Sequence, residues 1–236
     1  FAAISSSGTL LAAVGMGHNQ LTGGLLYYLL SSTVVVSALF LLTDLIERWR
    51  NDGFSVAPYE RKDDAPFLSA DLVHSASAPL DDDEQEVIGE VIPAAAAFLG
   101  LAFITCTLVV AGLPPLSGFI GKFALIHALL NPLGLGTAGA PLAMSSWVMV
   151  GLMLVSGLFA LVALTRVGVL HFWSAHDRAA PKLLVMEGLP VALRVSMCAA
   201  LAWKAGPVPR YTDATATALH APAGYIRAVM SAQPVP

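Results

Sequence analysis

The sequence predicts an all-α, polytopic membrane protein with about five transmembrane helices, one of them broken at a Gly-Pro-Pro motif. Three observations carry this. Of the 236 residues 56% are hydrophobic and 12% charged, with a mean hydropathy of +0.73, whereas soluble domains carry about 25% charged residues. Apolar stretches of about 20 residues recur along the chain, the length that carries a helix rising 1.5 Å per residue across about 30 Å of hydrocarbon. The acidic residues are concentrated in one long polar segment, residues 47–90, rather than spread over amphipathic faces.

The candidate spans follow in order. Residues 1–17 are apolar and small, and cross the bilayer if about a turn of helix precedes Phe1. With no basic stretch before this run and no small-residue cleavage site, it does not read as a signal peptide, and the chain is expected to be a fragment whose upstream part is missing. Residues 23–46 are uncharged up to Asp44. The segment 47–90 contains Asp81, Asp82, Asp83 and Glu84 and lacks the apolar period of a packed domain, so it reads as an acidic linker. Residues 92–113 are long enough to span alone, and a second apolar stretch, 119–130, follows Pro114 and Pro115. Residues 147–170 contain one charge, Arg166, near enough to the end to snorkel. Residues 183–203 are the weakest candidate, because they include Glu187, Pro190 and Arg194. The organisation read from these runs is two helices in 1–46, the linker in 47–90, the broken helix in 91–130, two more helices in 131–204 and a tail in 205–236.

Lys and Arg orient this arrangement. With alternating spans, Arg48, Arg50, Arg61, Lys62, Arg178 and Lys182 fall on one side, while the loops 18–22 and 131–146 on the other side carry no Lys or Arg. The positive-inside rule places the acidic linker in the cytoplasm, although Lys204, Arg210 and Arg227 of the tail then lie outside. The net charge of −4 leaves no basic face for nucleic acid. Cys106 and Cys198 sit in apolar runs without metal-ligand spacing and read as buried hydrophobes. No nucleophile constellation, phosphate loop, metal cluster or cofactor motif points to an enzyme.

The most informative stretch is GLPPLSGFIGK, residues 112–122. Pro114 and Pro115 remove two backbone donors and clash with preceding carbonyls, while Gly112, Gly118 and Gly121 ease irregular dihedrals, so the helix must break. A break inside hydrocarbon is tolerated only where it is buried in protein or faces water. Lys122, flanked by apolar residues, costs at least about 2.5 kcal/mol at the centre of a membrane helix and is therefore a functional candidate. Lysine changes protonation readily when desolvated, which a proton relay requires. The pattern alone fits a second placement equally well, in which 92–113 spans alone, the prolines form an external turn and Lys122 sits among headgroups.

GLPPLSGFIGK closely resembles the motif of the antiporter-like subunits of respiratory complex I and of the multisubunit Mrp and Pha cation/proton antiporters. That resemblance implies a discontinuous helix in the C-terminal half-channel of such a subunit, with Lys122 as the central proton relay. The order of a Ser-rich helix, a Tyr-Tyr helix, the broken helix and a helix ending near Arg166 and Phe172-Trp173 extends the likeness loosely over most of the chain. The tail, with Ala205-Gly206-Pro207, Arg210-Tyr211 and Tyr225-Ile226, is most similar to D-type subunits of the Mrp or Pha kind. The implied partners are other antiporter subunits, the lipid bilayer, protons and Na⁺ or K⁺, in a bacterial inner membrane. Many relatives carry His or Lys in the helix before the linker, where residues 28–40 read YLLSSTVVVSALF with Tyr28 the sole ionisable group. A proton path here has to use Ser31, Ser32, Thr33 and water, or bypass the helix. The family context also leaves room for a proton-pumping subunit of an NADH-quinone or hydrogenase complex, and the missing ionisable residue for a structural or assembly subunit.

The other candidates are weaker. His127, five residues after Lys122, lies about 140° from it around a regular helix and is a candidate exit-path residue. Glu187 and Arg194, seven residues apart on one face, are a candidate buried pair, with inter-subunit contact the alternative for Arg194. Ser5, Ser6 and Ser7 suit close helix packing as well as water binding. His171, His176 and Arg178 read as headgroup anchors.

Overall fold

The computed structural model of the chain describes residues 1–55, 94–131, 142–173 and 184–231, and the described residues are helical throughout apart from turns and caps. The helices are α1 (Ala2–Gly15), α2 (Leu21–Ser55), α3 (Ala94–Ala111), α4 (Ser117–Leu130), α5 (Met144–Gly168), α6 (Val185–Trp203), α7 (Pro207–His220) and α8 (Ala223–Ser231). A π-helical turn, Val169–Trp173, extends α5. Among the described residues four helical stretches are long and apolar enough to cross a membrane: Leu21–Trp49, Ala94–Ala111, Met144–Phe172 and Val185–Trp203. The first apolar run forms the 14-residue α1, about 21 Å long at 1.5 Å per residue and so shorter than the hydrocarbon.

α2 is the spine. It continues past Ile46 to Ser55, because polar residues end a membrane span without breaking a helix, and residues 47–55 hold no proline. The rest of the acidic linker, with Asp81 to Glu84, lies outside the described residues, as do His176, Arg178 and Lys182. α1 returns along α2 as a hairpin partner, with Ala13 and Leu21 in one cluster and Ala2 packed with Val35 and Val36 in another.

The broken element is laid along α2 from end to end. Leu42, Leu45 and Ile46 pack with Leu99, Ala102 and Phe103 of α3. Val34, Val35, Ala38 and Leu39 pack with Cys106 and Val109, and Tyr28 packs with Leu125, Ala128 and Leu129 of α4. α3 and α4 are thus consecutive halves of one antiparallel track, with the break opposite Ser31, which bonds Ser117. α5 flanks the same track: Phe172 packs on Phe103 and on Trp49, with centroids 5.9 and 6.1 Å apart, and Met149, Val150 and Met153 pack on α4. α6 runs antiparallel to α2 on another side, tied by the Tyr27 hydroxyl donating to the Leu201 carbonyl at 3.1 Å.

The segment 205–220, expected as tail, contains α7. Pro207 stands at its first helical position, where a missing N–H costs nothing. α7 docks on the start of α2, through Thr22 Oγ1 and His220 Nε2 at 2.8 Å.

Candidate functional site: a lysine on the open end of a broken helix

A helix leaves its last four carbonyls without intrahelical partners. At the end of α3 all four are accounted for. Gly112, at φ +80, takes the left-handed conformation that lets the backbone N–H of Leu113 reach the Leu108 carbonyl at 3.0 Å and that of Gly112 reach the Val109 carbonyl at 3.2 Å. This is the double-bonded glycine cap of helix C-termini. It satisfies Leu108 and Val109 and leaves Val110 and Ala111. Lys122 closes the account: from the second turn of α4 its Nζ donates to the Val110 carbonyl at 3.0 Å and the Ala111 carbonyl at 2.9 Å.

The ammonium therefore sits at the negative end of the α3 dipole, half-buried and without a carboxylate partner among the described residues. Each hydrogen bond from a charged donor contributes about 1.5–3 kcal/mol, and the loss of bulk water opposes this. The position is a balance between carbonyl dipoles that hold the charge and a low-dielectric wall that disfavours it.

Glycines make the room. A methyl on Gly112 would stand 2.6 Å from Lys122 Cδ, and one on Gly157 of α5 would stand 2.8 Å from the Ala111 oxygen and 3.2 Å from Lys122 Nζ. Gly118 lies against the Val109 carbonyl and Gly121 against the backbone of Tyr28, so the two half-helices and α2 meet at backbone distance. Pro114 and Pro115 occupy the connection between the halves, where neither has an N–H to satisfy.

Beside the lysine is a cavity of about 20 Å³ whose lining combines Ser5, Ser6, Tyr28, Ser31, Ser32 and Lys122 with apolar residues of α1, α2 and α3. That volume holds about one water, and the lining offers polar partners for it. Ser31 and Ser117, 1% and 0% exposed, bond each other at 2.9 Å within the core.

The structure thus brings Lys122 together with Gly112, Gly118, Ser5, Ser6, Ser31 and Ser32, with Pro114, Pro115 and Gly121 in the same break, and turns Thr33, His127, Glu187 and Arg194 to other partners. Thr33 faces outward and bonds the Leu30 carbonyl. His127 is on a different face of the continuous helix α4, its ring tilted against that of Phe123 with centroids 6.1 Å apart. Glu187 and Arg194 do not meet. Glu187 accepts from Arg48 at 2.7 Å, and Arg194 donates to Ser37 on α2. Seven residues put these two side chains on one face but about 10.5 Å apart along the axis, and α2 supplies each with a nearer partner. Gly157 and Ser117 escaped the sequence reading. A glycine in an apolar helix permits close approach, but Gly151 of the same helix meets nothing within 4 Å, so residue type alone does not single out Gly157.

No family model matches the chain. It is 40% identical over 232 residues, 98% of its length, to a protein of Rhizobium meliloti (strain 1021) named as the probable D subunit of a K(+)/H(+) antiporter. The chain is a homologue of antiporter D subunits. A second relative, named as the D subunit of a Na(+)/H(+) antiporter of Alkalihalophilus pseudofirmus (strain ATCC BAA-2126 / JCM 17055 / OF4), is 27% identical over 137 residues, 56% of the chain. The matched region covers 41% of the length of the first relative and 25% of that of the second. Both names are those of transporter subunits, in keeping with an all-helical membrane protein.

Proposed function

We propose that this chain forms the C-terminal half-channel of a D-type subunit in a multisubunit monovalent cation/proton antiporter of a bacterial inner membrane, with Lys122 as its intramembrane proton relay. The observation that carries the reading is the pair of α3 carbonyls left open by the glycine cap and taken up by Lys122. A protonated lysine completes the broken helix. A deprotonated one retains two N–H donors and gains a lone pair, so it accepts the next proton from a water in the adjoining serine-lined cavity. The relay needs no carboxylate beside it, because the dipole of α3 stabilises the cation in the loaded state.

Residues 28–40 carry no His or Lys, so protons reach Lys122 by way of water held by Ser31 and Ser32, with Ser5 and Ser6 of α1 also lining the cavity. The cation exchanged for the proton and the neighbouring subunits belong to the larger assembly implied by the relatives' names.

The test is cation/proton exchange in membrane vesicles containing the assembled complex, with Lys122→Ala. The expected result is loss of exchange with complex yield unchanged. Exchange at the unaltered rate in the assembled Lys122→Ala complex would overturn the reading.

A further inference from the structure

Arg194 is the tenth of the nineteen residues of α6, which places it about 14 Å from either end of the helix, beyond the reach of a snorkelling side chain. It is half-buried, donates to Ser37, and has no carboxylate in salt-bridge range among the described residues. The nearest acid on its own face, Glu187, is committed to Arg48 at 2.7 Å. A hydroxyl partner satisfies one donor of a guanidinium that has five and leaves the charge unneutralised.

The surface around it is open. On α2, Phe40 is 67% exposed one turn from Ser37, and Asp44 follows one turn further on the same helix face. On α6, Met197 is 42% exposed one turn from Arg194, and Leu193 beside it is 66% exposed. A charge at mid-helix depth on a face of this kind is costly against lipid, and arginines in membrane spans face protein or water. Large apolar side chains around one unneutralised cation match a helix that is apolar except for a single acid.

We infer that this face of α2 and α6 seats a transmembrane helix of a different polypeptide, whose Asp or Glu pairs with Arg194 at mid-membrane depth. The inference shares with the proposed function the premise of a multisubunit assembly, but it is independent of any proton relay at Lys122.

The experiment uses the chain expressed with the full set of its partner subunits, with Met197 replaced by p-benzoylphenylalanine, followed by irradiation and peptide mapping. The expected product joins position 197 to a membrane helix of another polypeptide that carries an acid near the crosslink. Arg194→Glu should lower the yield of assembled complex at least about tenfold, and reversing the mapped acid to Arg should restore it, which shows that the altered chain still folds. Crosslinks only to lipid, to residues 56–93 of the same chain or to another part of its own polypeptide would overturn the inference. So would unaltered assembly of Arg194→Glu, or failure of the charge reversal to restore it. A lost relay reads differently: Lys122→Ala assembles and does not exchange.

Discussion

Replacing Gly157 by alanine puts a methyl group between α5 and the open end of α3. The new carbon would lie 2.8 Å from the Ala111 oxygen, about 0.6 Å inside an ordinary contact of roughly 3.4 Å or more. The obstacle is a backbone oxygen at a capped helix end, in the peptide unit whose Gly112 N–H bonds the Val109 carbonyl and whose own oxygen accepts from Lys122. Either α5 backs away or the carbonyl rotates off the lysine. Overpacking of this kind costs about 1–3 kcal/mol. If that cost falls on the relay geometry, exchange slows by roughly 5- to 150-fold, at tenfold per 1.4 kcal/mol. Gly151 is the internal control: it is on the same helix, and a methyl there meets nothing within 4 Å, so Gly151→Ala should be silent or slightly stabilising. Exchange assayed in vesicles by the collapse of an imposed pH gradient on cation addition, normalised to assembled complex, separates the two. Equal rates for Gly157→Ala and Gly151→Ala would refute the argument that the close approach of α5 shapes the lysine site.

The Ser31–Ser117 bond joins α2 to the start of α4 in full burial, so Ser31→Ala and Ser117→Ala should each lower stability by about 1 kcal/mol, and the double variant should cost less than the sum of the singles. Thermal unfolding in detergent measures this, and strict additivity would show that the two hydroxyls act independently. In intact cells, cysteines at Ser69 and Ala138, both outside the described residues, should be respectively protected from and labelled by an impermeant thiol reagent, with the reverse pattern contradicting the orientation read from Lys and Arg.

How much of this was legible in the sequence differs by residue, for physical reasons. The break was legible because proline lacks a donor wherever it stands, and the GLPPLSGFIGK string carries that chemistry in its own residues. The apolar runs gave the helices because crossing hydrocarbon sets a length. The same reasoning misplaced the end of α2, since a span stops where polarity begins and a helix stops only where a cap or breaker stands. The helix α7 had its signal in Gly206-Pro207, which marks a start as readily as a tail. The partners of Glu187 and Arg194 were not legible, because same-face spacing describes one helix while Arg48 and Ser37 come from another. Likewise the match of Lys122 to two particular carbonyls depends on Gly112 closing the other two, a matter of backbone geometry and not of residue type.

The central claim is that Lys122 must release its proton in each cycle, beyond holding the end of α3 together. Lys122→Arg keeps a cation and more than enough donors for the Val110 and Ala111 carbonyls, but guanidinium stays protonated throughout the physiological range. Exchange in vesicles should therefore fall nearly as far as with Lys122→Ala while the complex assembles normally across a pH series. Near-normal exchange by the assembled Lys122→Arg complex would contradict the account, since the site would then need a charge and not a proton carrier.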